Sequence, residues 1–118
     1  MTGPFAEHGI VLEIETGQPE QCLQFDPDGR PGNRWLHRLE EFDRTLDVEA
    51  VRDRYALPES DAYELRLLTA PAGVSMNLGD LGPAHGRAGG GEVAELLESE
   101  SVPAEWIEET TTLATFLE

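Results

Sequence analysis

Glycine is unusually dense between residues 70 and 91, which hold seven of the twelve glycines in the chain together with Pro71 and Pro83. Glycine and proline at this density oppose both helix and strand. We therefore predict one long, mobile loop over about 70–91, and loops of this length are commonly functional or disordered. The remaining residues then form the core of a single domain over residues 1–118.

Three other segments have the composition of strands. Residues 9–16 alternate apolar and acidic side chains, with Ile10, Leu12 and Ile14 on one side, as a half-buried strand requires. Residues 21–26 follow after a break at a glycine and a proline, so a hairpin of these two strands is the simplest arrangement. Residues 62–69 are predicted as a third strand, which pairs with the first.

Helical spacing appears in the centre and near the carboxyl end of the chain. Apolar residues recur at intervals of four, three and four from Trp35 to Leu46, which predicts a helix over 34–45, and Asp47 can cap a second helix over 48–56. Val93, Leu96 and Leu97 indicate a short helix over 92–98. Pro103 suits the first position of a final amphipathic helix.

These elements predict an α+β fold, in which a small antiparallel sheet of about three strands packs against the central and C-terminal helices. Their irregular order argues against a wound parallel sheet. No apolar run reaches the roughly 18 residues of a membrane span, and the chain does not begin with a basic region followed by a hydrophobic one. A single cysteine, Cys22, excludes an internal disulfide. We therefore expect a cytoplasmic protein.

Acidic residues dominate both ends of the chain. The net charge is −16, from 24 acids and 8 arginines, and the chain has no lysine. Residues 1–29 hold six acids and no base, and residues 88–118 hold eight acids and no base. Direct binding to nucleic acid or to an anionic membrane is opposed electrostatically, because it requires basic residues. The expected partner is a basic protein surface, and no oligomeric state is predicted.

Eight glutamates are the candidate contact residues, because rows of carboxylates on a rigid scaffold can imitate the spacing of phosphates. They are Glu92, Glu95, Glu98, Glu105, Glu108, Glu109, Glu13 and Glu15. The alternative readings are a solvated face and adaptation to salt, although 7 Asp against 17 Glu is not the balance we expect of a salt-adapted protein.

No catalytic residue, cofactor or metal site is predicted. His8, His37 and His85 lie on separate elements without ligand spacing. Residues 26–29 resemble the start of a calcium loop but lack its remaining ligands, so an ordinary turn is preferred. Cys22 has no surrounding nucleophile motif. A possible loop site consists of His85 and Arg87, beside three glycines that can present backbone amides to an anion.

Three functions follow from these observations. The first is a non-enzymatic acidic binding or inhibitor protein that engages a basic, nucleic-acid-binding surface of a partner, in one form a nucleic-acid mimic of the phage anti-defence type. The second is an accessory, immunity or chaperone-like protein that binds through an apolar surface around Trp35 or Trp106. The third is a small enzyme with the glycine-rich loop as its lid, which the sequence favours least because no catalytic constellation is visible.

Overall fold

Antiparallel strands make up most of the fold. A computed structural model describes residues 5–6, 9–26, 34–57, 64–84 and 86–117. In these residues the strands are β1 (Leu12–Glu15), β2 (Glu20–Asp26), β3 (Trp35–Arg38), β4 (Glu64–Ala70), β5 (Ser75–Asp80), β6 (Glu92–Leu96) and β7 (Ile107–Thr112). The helices are α1 (Val48–Arg54) and α2 (Leu113–Phe116), with 3-10 turns at Leu39–Glu41 and Ala104–Trp106. All seven strands form one sheet in the order β1-β5-β6-β3-β2-β4-β7.

The predicted α+β arrangement, a small sheet of about three strands against central and C-terminal helices, is therefore wrong. The strands predicted over 9–16, 21–26 and 62–69 exist as β1, β2 and β4. Their pairing differs from the prediction, because β1 pairs with β5 and not with β2, whereas β4 lies between β2 and β7.

The helix predicted over 34–45 is replaced by β3 and a 3-10 turn. β3 lies inside the sheet between β6 and β2, and its first three residues are all buried. A strand that is covered on both faces loses the alternation of apolar and polar residues. Trp35 on the strand and Phe42 in the loop after it belong to the same core cluster. Their burial in one cluster, and not a shared helix face, accounts for the helix-like spacing of the apolar residues.

The prediction of a C-terminal helical pair is also wrong. Residues 92–96 form β6, which lies between β5 and β3 and buries Val93, Ala94 and Leu96. Beyond Pro103 the chain makes a 3-10 turn and then β7. In this segment only Leu113–Phe116 form an α-helix, α2. The β-branched residues Ile107 and Thr110 to Thr112 favour a strand, and the apolar spacing alone did not show this.

The helix predicted over 48–56 is confirmed as α1. Its N-cap is Asp47, whose Oδ1 accepts a hydrogen bond of 2.8 Å from the N–H of Ala50. Val51 and Tyr55 on this segment are buried against the sheet. No helix of the described residues has the length and apolar composition needed to span a membrane.

Residues 70–91 are not one loop, because β5 occupies 75–80 and pairs with both β1 and β6. Gly79 lies in this strand, where an added Cβ would come within 2.7 Å of the Phe5 ring. The glycine at this position therefore makes room for a core aromatic side chain and does not interrupt the strand.

The glycines after β5 hold the chain against α1. Gly89 N–H donates to the carbonyl oxygen of Asp53 at 2.8 Å, and Gly91 N–H donates to that of Arg54 at 2.9 Å. An added Cβ at Gly91 would lie 2.6 Å from the ring of Tyr55. Close approach of the backbone to α1 is thus the reason for glycine here.

Apolar side chains cover both faces of the sheet. On one face, Phe25, Phe42 and Tyr55 pack with ring centroids 5.4 to 6.3 Å apart, beneath α1 and α2. On the other face, Leu36, Met76 and their buried neighbours form a second core cluster beneath the segment that leads into β7. Burial on both faces is why apolar and polar residues do not alternate along β3 and β6.

The sheet is curled. β1 and β2 are consecutive in the chain but four positions apart in the strand order, which corresponds to about 19 Å in a flat sheet. The link between them contains a bend at residues 17 and 18, and both strands line one cleft of about 430 Å³. Thr16 holds this corner, since its N–H donates to the Val74 carbonyl at 2.9 Å and its Oγ1 donates to that of Pro71 at 2.8 Å.

Candidate binding surface

One arginine neutralises several acids at the centre of the sheet. Arg38 is the last residue of β3, and its side chain is 20% exposed. Its Nε and Nη2 donate to the two carboxylate oxygens of Glu92, each at 2.7 Å. Its Nη1 donates to Glu40 at 3.1 Å and lies 3.6 Å from Glu20 Oε1. The bidentate pair fixes β3 to β6, and these interactions hold the pKa of Arg38 above its usual range.

The carboxyl group of Glu20 is poorly compensated in this cluster. Its Oε1 is buried and accepts no hydrogen bond from the residues that the structure describes. Burial raises the pKa of Glu20 above its ordinary value of 4.5, and the Glu40 carboxylate raises it further, whereas Arg38 opposes both effects. The ionised form of Glu20 is therefore disfavoured in the folded protein.

Replacing Glu20 with glutamine is expected to stabilise the protein at pH 7.5, by up to about 1 kcal/mol. Because folding raises the pKa of Glu20, the protonated side chain makes its full contribution to stability below about pH 4.5. This contribution is lost as the pH rises through the pKa of Glu20 in the folded protein. The urea midpoint of Glu20→Gln should exceed that of the wild type at pH 7.5, and the difference between the two midpoints should be smaller at pH 5. Glu13→Gln, on an exposed residue, is the control. A difference in midpoint that does not change with pH would show that Arg38 fully compensates the negative charge of Glu20.

Other arginines are also occupied within the fold. Arg34 Nη2 lies 2.9 Å from Glu95. Arg87 Nη1 donates to Asp53 at 2.7 Å and to Glu49 at 3.1 Å, and these hydrogen bonds raise the pKa of Arg87. Arg87, one half of the predicted loop site, therefore anchors the glycine-rich segment to α1. His85, the other half, lies outside the described residues.

The eight candidate glutamates fall into two groups. Glu92 and Glu95 lie on β6, are bound to Arg38 and Arg34, and have side chains that are only 17% and 14% exposed. The other six are exposed. They are Glu13 and Glu15 on β1, Glu98 after β6, Glu105 before β7, and Glu108 and Glu109 on β7.

The exposed glutamates lie at the two edges of the sheet. Within the described part of the chain, Glu13, Glu15, Glu105 and Glu109 take part in no ion pair, whereas Glu108 accepts a hydrogen bond from Thr69. β1 and β7 are the first and last strands of the order. Glu98 and Trp106 line one cleft of about 210 Å³, which places Glu98 beside the start of β7. Arg34 and Arg38 thus neutralise acids at the centre of the sheet, whereas exposed glutamates remain at both of its edges.

Two apolar residues that the sequence places on the buried side of the first strand, Ile10 and Leu12, are largely exposed, and Val11 on its other side is also exposed. Ile10 is 78% exposed, Leu12 is 58% exposed and Val11 is 39% exposed, all in or just before β1. The alternation in this segment predicts a half-buried strand but not its place in the sheet. Because β1 is an edge strand, fewer neighbours cover these side chains.

The structure describes Cys22 and His37, two of the residues considered above for catalysis or metal binding. Cys22 is buried, and burial together with the neighbouring Glu20 carboxylate raises the pKa of its thiol to about 12. A protonated thiol is a poor nucleophile. His37 Nδ1 donates to the carbonyl of Glu92 at 2.8 Å. His8 and most of the 26–29 turn lie outside the described residues, and within those residues no three His, Cys, Asp or Glu side chains converge on a metal position.

The sequence matches no known protein family, and no solved structure matches the chain.

Proposed function

We propose that this protein is a non-enzymatic binding protein that engages the basic surface of a partner protein through the glutamates at the edges of its sheet. The observation that supports this proposal is the segregation of charge. Arg34, Arg38 and Arg87 form ion pairs with acids of the same chain. In contrast, Glu13, Glu15, Glu105 and Glu109 are exposed and take part in no ion pair within the described residues. Glu92 and Glu95 are left out of the contact set because of their ion pairs.

The partner class that fits best is a nucleic-acid-binding protein. Such a protein carries lysine and arginine residues that contact successive phosphates and release counterions on binding. Carboxylates on rigid strands can occupy the same positions with little loss of side-chain freedom in the scaffold. Neutralising a phosphate-binding groove in this way would inhibit the partner, as a nucleic-acid mimic does.

Exposed charges of this kind contribute about 0.2 to 1 kcal/mol each, so four of them together contribute at least about 0.8 kcal/mol and change affinity by at least about fourfold. The test compares two variants with the same change in charge. The edge variant carries Glu13→Gln, Glu15→Gln, Glu105→Gln and Glu109→Gln. The control carries Glu41→Gln, Glu64→Gln, Asp80→Asn and Glu100→Gln, which are also exposed.

Each protein is immobilised, and proteins captured from a cell lysate at about 0.15 M KCl are eluted with about 1 M KCl or with double-stranded DNA. The wild type and the control should capture the same basic proteins, and the edge variant should capture at least about fourfold less. Release by DNA would identify a nucleic-acid-binding groove on the partner. Equal capture by the edge variant, or retention in 1 M KCl, would contradict the proposal.

The two other functions have weaker support. Trp35 is 2% exposed and belongs to the core, so it cannot form an apolar binding surface. Trp106 is half-buried against the second core cluster. An enzyme with residues 70–91 as its lid is disfavoured because β5 lies in that segment and Arg87 is bonded to α1. Exposed apolar residues do occur elsewhere, on β1.

A further inference from the structure

The outer edge of β1 combines an open backbone with apolar side chains. β1 pairs with β5 on one side, and among the described residues no strand lies on its other side. Among the described residues, the large apolar side chains that are exposed are those of Ile10, Val11 and Leu12 at this edge and of Leu97 elsewhere. Natural proteins usually cover or charge such an edge, because it can accept another strand.

The hydrogen-bonding pattern shows which backbone groups face outward. Thr16 N–H donates to the carbonyl of Val74, so this pair is hydrogen-bonded in the β1 and β5 ladder. Hydrogen-bonded pairs alternate along an antiparallel ladder, so the pairs that follow are Ile14 with Met76 and Leu12 with Leu78. The N–H and C=O groups of Glu13 and Glu15 therefore point away from β5 and toward the open edge.

The side chains of β1 sort by face. Ile14 packs against the second core cluster, and Leu12 and Ile10 continue this face toward solvent. Glu13 and Glu15 lie on the opposite face and are exposed. A strand added to this edge would meet an apolar row on one face and two carboxylates on the other.

The other edge of the sheet is built differently. β7 has a bulge at Glu108, because Leu67 pairs with Glu109 while Leu68 pairs with Ile107. A bulge is one of the devices by which natural proteins prevent pairing at an edge. β1 has no register shift in its pairing with β5. Strand addition is therefore favoured at β1 and opposed at β7.

We infer that β1 is a docking site for an extended segment of the basic partner, which adds to the sheet as a strand with alternating apolar and basic residues. Its apolar side chains would cover Leu12 and Ile10, and its lysines or arginines would lie opposite Glu13 and Glu15. A second copy of this chain fits less well, because each copy carries a charge of −16. This inference rests on the proposed function and gives it a binding mode.

The first test uses an eight-residue peptide of alternating valine and lysine. The control peptide has the same composition with the four lysines grouped at one end, so it keeps the charge but cannot place lysine and valine on opposite faces of a strand. We expect the alternating peptide to bind at least about tenfold more tightly. Amide exchange measured by NMR should slow at Glu13 and Glu15, whose N–H groups gain partners.

The second test uses two variants at one position. Glu13→Gln removes the charge only, and should weaken binding of the alternating peptide by a few-fold. Glu13→Pro also removes the outward N–H group, which an edge strand tolerates, and should weaken binding by a further tenfold or more. The Glu64→Gln and Glu100→Gln pair, which is exposed and lies outside the proposed contact set, should leave binding unchanged. If Glu13→Pro fails to fold, amide protection in the wild type decides the question.

The outcomes separate this inference from the proposed function. Equal binding of both peptides without protection at Glu13 and Glu15 would overturn strand addition and leave the acidic binding function standing. Binding of neither peptide, with no capture of basic proteins, would overturn both. Concentration-dependent dimerisation that protects the same two amides would replace the basic partner with a second copy of the chain.

Discussion

Replacing Gly89 with alanine is expected to destabilise the fold by about 3 kcal/mol or more. Gly89 has a φ of +77°, which an alanine adopts only with strain. In addition, the new Cβ would lie 2.6 Å from the carbonyl oxygen of Gly82 and 2.7 Å from that of Leu81. Both are backbone atoms, so the segment must move away from α1 and lose the hydrogen bond from Gly89 to Asp53.

Gly86→Ala is the matched control for this substitution. Gly86 has a φ of +73°, but nothing lies within 4 Å of its added Cβ. It should therefore cost only the backbone strain, about 1 kcal/mol. Urea unfolding measures both variants, and equal losses would show that close packing against residues 81 and 82 contributes nothing.

Replacing Arg38 with methionine is expected to cost about 3 kcal/mol at pH 7.5. The methionine keeps much of the apolar stem but loses the bidentate pair to Glu92 and the contacts to Glu40 and Glu20. Three carboxylates then face one another without a cation. Removing one partner of a buried pair usually costs 3 to 5 kcal/mol, and partial exposure of this cluster places the expected loss at about the lower end.

Arg34→Met provides the comparison, because Arg34 makes one ion pair and is 43% exposed. This variant should lose less than about 1 kcal/mol. Adding Glu92→Gln to Arg38→Met should recover part of the loss, since one of the facing charges is removed. Chemical denaturation of the wild type, Arg38→Met, Glu92→Gln and the double variant completes the cycle, and Arg34→Met is measured beside them. A loss at Arg38 no larger than that at Arg34 would mean that the three acids are adequately solvated.

The elements that sequence reasoning found share a simple local pattern. β1, β2 and β4 were recognised as strands, although burial along β1 is less than its alternation indicates. α1 was recognised from its cap, because an aspartate before a helical stripe acts within one turn of chain. These signals depend on neighbouring residues only, and tertiary contacts did not override them.

The elements that were missed depend on long-range contacts. β3 and β6 are covered on both faces, and a short run of apolar residues does not distinguish a buried strand from a helix. β5 was missed because its glycine was interpreted as a breaker, whereas Gly79 makes room for Phe5. No pattern in the sequence reveals which distant ring will lie against a glycine.

The exposure of the candidate glutamates was predictable from the sequence only in part. The excess of glutamate was evident from composition, and six of the eight candidates are exposed. That Arg38 would bind Glu92, 54 residues away, could not be read from spacing. The open edge of β1 was also missed, because its exposure depends on the order of strands in the sheet.

The strand order has a consequence for how this protein folds. Only β2 with β3 and β5 with β6 are pairs of consecutive strands, whereas Leu12 of β1 finds its partner at Leu78 of β5. Closing such long loops costs entropy before any contact compensates for it, so sheets of this kind fold in milliseconds to seconds. During synthesis, β1 has no partner until β5 has left the ribosome. Over that interval the exposed Ile10 to Leu12 segment is available to other chains, and the glutamates that follow it help to keep it from aggregating.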